Sequence, residues 1–120
     1  MSKKTVVFGA SLKPERYSNK ATYRLANHGH ELELIGLREG TVAGIDIQKG
    51  TPDLEDIHTI TLYVNPRRQV PYYEYLLSLQ PKRIIFNPGT ENPELIRLAK
   101  EQGIETEIAC TLVMLSTNQY

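Results

Sequence analysis

The chain opens with the strand-like stretch Thr5-Val6-Val7-Phe8, which runs directly into Gly9-Ala10-Ser11. A short apolar run predicts a buried strand, and a glycine followed by two small residues predicts a tight turn at its end. Before a helix, such a turn forms an anion site, because backbone N–H groups and the helix dipole favour negative charge there. The dinucleotide fingerprint G-x-G-x-x-G is incomplete, with Ser11 and Pro14 where the later glycines would fall. The turn therefore indicates an α/β protein, in which it either cradles phosphate or merely links a strand to a helix.

Beyond this turn, short apolar runs alternate with amphipathic stretches. The predicted strands are Thr5–Phe8, Glu31–Ile35, Thr59–Val64, Arg83–Phe86 and Ile104–Ile108, and Asn65-Pro66 is predicted to end the third of them. The predicted helices are Asn19–His28, Val70–Leu79 and one that opens at Asn92-Pro93-Glu94 and stops at Gly103. This alternation is typical of a parallel sheet covered on both faces. We expect an α/β, three-layer Rossmann-like fold with a mainly parallel five-stranded sheet and helices on both faces, forming one domain over residues 1–120.

Three further segments have weaker patterns. Thr41–Lys49 is predicted to be a loop with short extended pieces, since glycine interrupts its apolar residues. Thr51–Asp56 has the composition of a helix start, with threonine as cap, proline in the first turn and acids at the positive end, and predicts one helical turn. Cys110–Leu115 is predicted to be a short C-terminal segment.

Composition excludes several classes of protein. Hydrophobic residues make up 40% of the 120 residues, which is enough for the core of one domain and too many for a disordered chain. Lysine plus arginine and aspartate plus glutamate each number 14, and this balance argues against nucleic acid or an anionic membrane as a general partner. No stretch approaches the roughly 18 apolar residues of a membrane span, and the short run behind Lys3 and Lys4 reads as a first strand rather than a signal peptide.

The single cysteine, Cys110, limits the chemistry further. It rules out a disulfide framework and a cysteine-based metal cluster, and no metal site is predicted. A lone thiol fits a reducing compartment, so a cytoplasmic location is expected. Cys110 is interpreted as a small buried apolar residue, with a thiol that exchanges disulfides with a ligand as the alternative.

The candidate site lies in the loops that follow the predicted strands, because ligands of such sheets bind at the carboxyl ends of strands where the strand order reverses. The candidate contacts are Gly9, Ala10, Ser11, Lys13, Pro14, Arg16, Tyr17 and Ser18 after the first strand, Arg38 after the second, Asn65 after the third, and Asn87, Pro88 and Gly89 after the fourth. Basic residues recur in these loops: Lys13, Arg16, Lys20, Arg38, Arg67 and Arg68. In a chain without net charge, their clustering predicts a polyanionic small-molecule ligand.

The end of the second strand narrows the class of nucleotide. A unit that binds NAD places an acid there for the ribose hydroxyls. This chain instead has Ile35-Gly36-Leu37-Arg38, with no acid before Glu39. An arginine at that position suits a ribose phosphate, which is present in NADP and in the 3′-phosphorylated ADP of coenzyme A.

The motif G-A-S-x-x-P-x-R-x-S, from Gly9 to Ser18, resembles the opening of the small single-domain CoA-binding proteins, which are similar to the N-terminal CoA-binding domain of the succinyl-CoA synthetase α subunit. Asn87-Pro88-Gly89 followed by Asn92, and the late Cys110, also resemble that family. The resemblance implies that the nucleotide phosphates or ribose are contacted by Gly9, Ala10, Ser11, Arg16 and Ser18. It implies that the pantetheine side is lined by Asn87, Pro88 and Gly89.

No catalytic set emerges from the sequence. The histidines His28, His30 and His58 precede the predicted strands, at the edge opposite the expected crevice, and are interpreted as surface residues. No acid or base in the loops is convincing as a proton-transfer group, and this favours a coenzyme A or acyl-CoA binding module over catalysis, with a homodimer or a partner subunit left open. The alternative is a small NADP-type oxidoreductase or another nucleotide-dependent enzyme, and the third reading is a protein-interaction domain.

Overall fold

Strands and helices alternate along the computed structural model, which describes residues 2–120. The strands are β1 (Thr5–Ala10), β2 (Leu32–Gly36), β3 (Thr41–Val42), β4 (Ile45–Gln48), β5 (Thr59–Leu62), β6 (Arg83–Phe86) and β7 (Glu105–Ile108). The helices are α1 (Tyr17–Asn27), α2 (Pro66–Gln69), α3 (Tyr73–Ser78), α4 (Pro93–Glu101) and α5 (Thr111–Ser116), and a 3-10 turn at Val70–Tyr72 joins α2 to α3. Within residues 2–120, no helix combines the length and apolar character needed to cross a bilayer.

All the strands join one sheet in the order β3-β4-β2-β1-β5-β6-β7. Every neighbouring pair is parallel except β3 and β4, so the predicted Rossmann-like fold with a mainly parallel sheet is confirmed. The predicted number of five strands is wrong, since the sheet has seven. The additional two come from the segment expected to be a loop. Ala43 and Gly44 both adopt positive φ, 54° and 78°, and this reverses the chain into a hairpin that extends the sheet beyond β2.

The side chains of β1 alternate between two apolar layers, as the pleat of a strand requires. Val6 and Phe8 belong to the core cluster that contains Leu76 of α3 and Leu95 of α4. Val7 and Ala10 belong to the second cluster, which contains Leu25 of α1 and Leu115 of α5. Helices therefore cover both faces of the sheet.

Two helical predictions differ from the structure. The helix expected over Val70–Leu79 is divided, since Val70–Tyr72 forms the 3-10 turn and α3 begins only at Tyr73. It is also preceded by α2, because the side chain of Asn65 accepts a hydrogen bond from the Arg68 N–H at 3.0 Å and caps a helix that starts at Pro66. The single turn expected at Thr51–Asp56 does not form. Asp56 has φ of +58°, and Lys4 Nζ donates to the Glu55 carbonyl oxygen at 2.8 Å, which holds this segment against β1.

A polar cluster closes the amino-end edge of the sheet, opposite the carboxyl ends of the strands. At its centre is Arg83, which is buried, donates from Nε to Thr59 Oγ1 at 2.8 Å and lies 4.3 Å from the centre of the Tyr120 ring. His30 Nδ1 accepts the Lys3 N–H at 3.0 Å, and a hydrogen bond of 2.7 Å joins His58 Nδ1 and the Thr59 hydroxyl. The histidines do lie at this edge, but His30 and His58 are half-buried rather than fully exposed.

Because these two histidines are half-buried, we expect the free energy of unfolding to fall in mild acid. Burial, the largest cause, lowers the pKa of both imidazoles below 6.5; the His28 charge adds to this at His30, and the Arg83 charge adds to it at His58. The unfolded chain therefore binds protons more readily, so the stabilisation is complete above about pH 6.5 and is lost as the pH falls below it.

Urea unfolding at about pH 7.5 and about pH 5.5, a range above the carboxylate pKa values, measures this loss. The double variant His30→Asn, His58→Asn retains side-chain acceptors but cannot titrate there, and its unfolding free energy is expected to change less between the two pH values. An identical pH response in the variant and in the original chain would refute the assignment.

Candidate functional site

The strand order reverses between β1 and β5, and the loops after these strands form the centre of the candidate site. Gly9 brings them together. Its φ is +105°, and a Cβ atom there would lie 2.9 Å from Val64 Cγ2 and 3.0 Å from the Tyr63 carbonyl carbon. Only glycine fits both the backbone conformation and this close approach.

The loop after β1 is anchored by hydrogen bonds at Ser11, and the loop residues that follow Ser11 are exposed to solvent. Ser11 Oγ accepts the Lys13 N–H at 3.1 Å, and the Ser11 carbonyl oxygen accepts from Asn19 Nδ2 at 2.8 Å. Among the residues predicted to contact a ligand, the exposed ones are Lys13, Pro14, Arg16 and Tyr17, and the buried ones are Ala10 and Ser18. A ligand in the crevice would thus meet the backbone of the turn and the basic side chains of its rim.

The loop after β2 adjoins this turn. The Leu12 side chain packs against Gly40, where a Cβ atom would lie 2.5 Å from Leu12 Cδ2. An open hollow of about 360 Å³ lies alongside, lined by Glu39, Gly40 and Lys49 among others. Arg38 is exposed in the same loop. A cationic side chain is therefore available at the end of the crevice beyond β2.

The helices that begin at this edge of the sheet differ in how their N-termini are satisfied. Asparagine oxygens accept from first-turn N–H groups in three of them: Asn65 in α2 at 3.0 Å, Asn92 in α4 at 3.2 Å and Asn87 in α5 at 2.9 Å. Helix α1, by contrast, starts after Arg16 and has no side-chain cap. The Asn19 N–H donates to the Arg16 carbonyl oxygen at 3.1 Å, which leaves the Tyr17 and Ser18 N–H groups available to an anion, next to the basic residues of the β1 loop.

Asn87, predicted to line the pantetheine side, is 2% exposed and uses its amide inside the protein. Its Nδ2 donates to Thr61 Oγ1 at 2.7 Å and to the Leu62 carbonyl oxygen at 2.9 Å, while its Oδ1 accepts the Thr111 N–H. Pro88 and Gly89, which follow it, are exposed at the tip of the loop. Asn87 thus fixes the base of a loop whose tip faces solvent.

Gln69 was not predicted from the sequence. It is fully buried, and its amide hydrogen-bonds the carbonyl oxygens of Val64 and Thr90. The sequence contains one usable signal, the Asn65-Pro66 pair that starts a helix, but the pair was predicted to end a strand and Asn65 to contact the ligand.

The crevice has few groups suited to moving protons. Burial raises the pKa of Tyr63 to about 12, so its phenol stays neutral near pH 7. Cys110 is a free, partly exposed thiol at the N-cap position of α5. In the described range 2–120, no three histidine, cysteine or acidic side chains come together as metal ligands. The arrangement is suited to holding an anionic, polar ligand.

Comparisons with known proteins identify a matching family and solved structures of the same fold. Residues 3–116 match the family model described as CoA binding domain. A crystal structure of an uncharacterized protein is 48% identical, with 100% of this chain and 99% of that chain covered and a TM-score of 0.97. A hypothetical protein from Pyrococcus horikoshii OT3 is 26% identical, with 97% and 83% covered and a TM-score of 0.85.

A more distant structure, cell-free ID.343 from Thermus thermophilus, is 20% identical, covers 99% of this chain and 91% of that chain, and shares the fold with a TM-score of 0.86. No curated protein matches the chain. The resemblance in the β1 turn and the match over nearly the whole length point the same way: this chain belongs to the CoA binding domain family.

Proposed function

We propose that the single domain predicted over residues 1–120 binds coenzyme A or an acyl-CoA at the carboxyl ends of its strands, as a binding or accessory protein. Family membership supports the ligand class. The observation that carries the proposal is the uncapped N-terminus of α1 beside the glycine turn of β1. The role would be that of a carrier, sensor or subunit, alone, as a homodimer or with a partner.

The diphosphate is assigned to the turn after β1 and the start of α1. Backbone N–H groups and the positive end of an 11-residue helix dipole face that point. Lys13, Arg16 and Lys20 are exposed around it and supply the counter-charge. Arg38, beyond β2, is assigned to the 3′-phosphate.

The neutral pantetheine arm is assigned to the opposite wall, formed by the loop after β6. Residues 87–92 contain no basic side chain, and their one charged residue is Glu91, whose Oε1 accepts the Gly89 N–H at 2.8 Å. A carboxylate repels phosphate but not the amides and methylene groups of pantetheine. The charges of the loops after β1 and β6 therefore favour one direction for the bound ligand.

The alternative is a small NADP-type oxidoreductase or another nucleotide-dependent enzyme. Arg38 would suit the 2′-phosphate of NADP equally well. The proton-transfer candidates favour the binding role, because His30 and His58 lie at the opposite edge of the sheet and burial raises the pKa of Tyr63 to about 12, which makes its phenol a weak proton donor.

Thermal unfolding with coenzyme A, acetyl-CoA, NADP, NAD and ADP in parallel tests the ligand class. A ligand at about 100 times its dissociation constant stabilises a protein by about 2.7 kcal/mol, or about 10 °C for a domain of this size. We expect that shift with coenzyme A or acetyl-CoA and a smaller one with ADP. A shift with NADP and none with either CoA compound would overturn the proposal.

The phosphate site is tested by Arg16→Ala, with Arg97→Ala on the outer face of α4 as the matched control. Arg16 is exposed at the start of α1, whereas Arg97 pairs with Glu101 at 2.9 Å. Loss of a charge-assisted hydrogen bond is expected to weaken coenzyme A binding about tenfold in the first variant and not in the second. Unchanged affinity in Arg16→Ala, measured by calorimetric titration, would remove this residue from the site.

A further inference from the structure

Resting on the proposed function, we propose that Gln69 is a positioning residue for the thiol-end half of coenzyme A. It joins the end of β5 to the loop after β6 and so holds in place the wall against which the pantetheine arm lies, and it takes no part in binding the nucleotide half. The proposal follows from how the Gln69 amide is bonded and from what it does not touch.

The Gln69 side chain joins the two loops directly. Its Nε2 donates to the Val64 carbonyl oxygen at 2.7 Å and to the Thr90 carbonyl oxygen at 2.9 Å. Both partners can only accept, so the NH₂ group must face them, and this fixes the orientation of the amide. Val64 follows β5 and Thr90 follows β6, so one fully buried amide ties the ends of two neighbouring strands.

The other side of the amide ties the same wall to its helices. Gln69 Oε1 accepts from Asn92 Nδ2 at 2.9 Å, and Asn92 Nδ2 also donates to Tyr73 Oη at 2.8 Å. Asn92 Oδ1 caps α4 through the Leu95 N–H. We call the hydrogen bonds made by the Gln69 and Asn92 side chains the Gln69 clamp. The clamp connects α2, α3 and α4 to the two loops through side chains that are buried or half-buried.

The exposed tip of the β6 loop is held between this clamp and Asn87. The Asn87 carbonyl oxygen accepts both the Thr90 N–H at 2.9 Å and the Thr90 hydroxyl at 2.8 Å. Thr90 is therefore fixed from both sides, and Pro88 and Gly89 are presented to solvent from a rigid base. Preorganisation of this kind raises affinity, because the ligand does not have to order the loop.

The wall that faces the nucleotide is held by different bonds. Its loop is fixed by Asn19 Nδ2 on the Ser11 carbonyl oxygen and by the Ser11 hydroxyl, and none of these groups belongs to the Gln69 clamp. Val64, which the clamp holds, packs against Gly9 of the β1 turn, so loosening the clamp should change the β6 half of the crevice more than the half that faces the nucleotide. This separation distinguishes a positioning role from a general contribution to stability.

The test uses Gln69→Met, which keeps a similar side-chain volume but removes both donors, with the exposed Gln102→Met as control. Calorimetric titration compares two ligands: coenzyme A, and adenosine 3′,5′-diphosphate, which has the nucleotide end without the arm. In Gln69→Met, coenzyme A affinity is expected to fall by about fivefold to tenfold, while adenosine 3′,5′-diphosphate affinity changes by less than about twofold. Gln102→Met should bind both as the original chain does.

A milder variant covers the case in which Gln69→Met does not fold. Asn92→Asp keeps an oxygen to cap α4, but a carboxylate cannot donate to Gln69 Oε1, so the clamp loosens without loss of the helix cap. The same selective loss of coenzyme A affinity is expected from it.

Equal weakening of both ligands, or of neither, in the folded variants would overturn the positioning role. An original chain that binds adenosine 3′,5′-diphosphate as tightly as coenzyme A would also overturn it, because the wall would then contribute nothing. If the original chain binds neither compound, the proposed function itself fails, and this is seen before any variant is made.

Discussion

Replacing Gly9 by alanine is expected to destabilise the protein by about 2 kcal/mol or more and to abolish measurable coenzyme A binding. At φ of +105° an alanine is strained whatever its surroundings. Its Cβ would in addition lie 2.9 Å from Val64 Cγ2 and 3.0 Å from the Tyr63 carbonyl carbon, so β1 and the end of β5 would have to move apart. Because the crevice opens between these two strands, their separation changes the distance between its walls.

Gly103→Ala is the matched control for this prediction. Gly103 also has positive φ, +76°, but no atom lies within 4 Å of the position that a Cβ would take, and the residue is at the end of α4 remote from the crevice. It should cost about 1 kcal/mol from backbone conformation alone and leave coenzyme A affinity unchanged. Urea unfolding and calorimetric titration of both variants separate the two contributions. Equal losses of stability in the two variants would show that the close approach at Gly9 has no energetic weight.

The sequence predicted the fold well where local pattern and tertiary context agree. Arg83–Phe86 was predicted with the boundaries that β6 has, because a short apolar run between Pro81 and Asn87-Pro88 is unambiguous. The β3–β4 hairpin was missed because Ala43-Gly44 is a poor hairpin signal: alanine seldom adopts the positive φ that this turn needs. The pairing of β4 with β2 stabilises what the turn residues alone would not.

One motif was interpreted correctly in one place and incorrectly in another. Asn92-Pro93 was recognised as a cap followed by the first residue of a helix, and α4 starts there. Asn65-Pro66 has the same chemistry and starts α2, but it was interpreted as a strand terminator. Both readings are physically sound, since proline ends a strand and also opens a helix. The helix start at Asn65-Pro66 was overlooked because α2 is too short to show an apolar period.

The position of the site could be predicted from the sequence, whereas the contacts made by its individual side chains could not. The carboxyl ends of parallel strands meet at one edge, and this places the loops after β1, β2, β5 and β6 together without knowledge of any contact. Which asparagine faces a ligand and which caps a helix depends on pairings between residues far apart in sequence, such as Asn87 with Thr111 and Gln69 with Thr90. Single-sequence patterns contain no information about such pairs.

Asn87→Leu is expected to remove about 4 kcal/mol from the unfolding free energy, a large part of what holds a small domain folded. The substitution takes the Asn87 amide away from the Leu62 carbonyl oxygen and the Thr111 N–H, and it leaves the Thr61 hydroxyl with the Thr111 hydroxyl as its remaining partner at 2.8 Å. Each buried polar group left unpaired costs about 1–3 kcal/mol, and leucine returns only part of this as apolar burial. The loss should appear in urea unfolding as a lower midpoint with little change in slope.

Asn27→Leu, at the exposed end of α1, is the control and should change the unfolding free energy by less than about 0.5 kcal/mol. A loss below about 1 kcal/mol in Asn87→Leu would mean that the loop after β6 is not anchored through this amide. The base of the pantetheine wall would then be mobile, and its rigidity could not explain selectivity for the thiol-end half of the ligand. The outcome for Asn87 therefore bears on the Gln69 clamp as well, because Thr90, which accepts from Gln69, also donates to the main-chain carbonyl oxygen of residue 87, and the Asn87 amide anchors that residue.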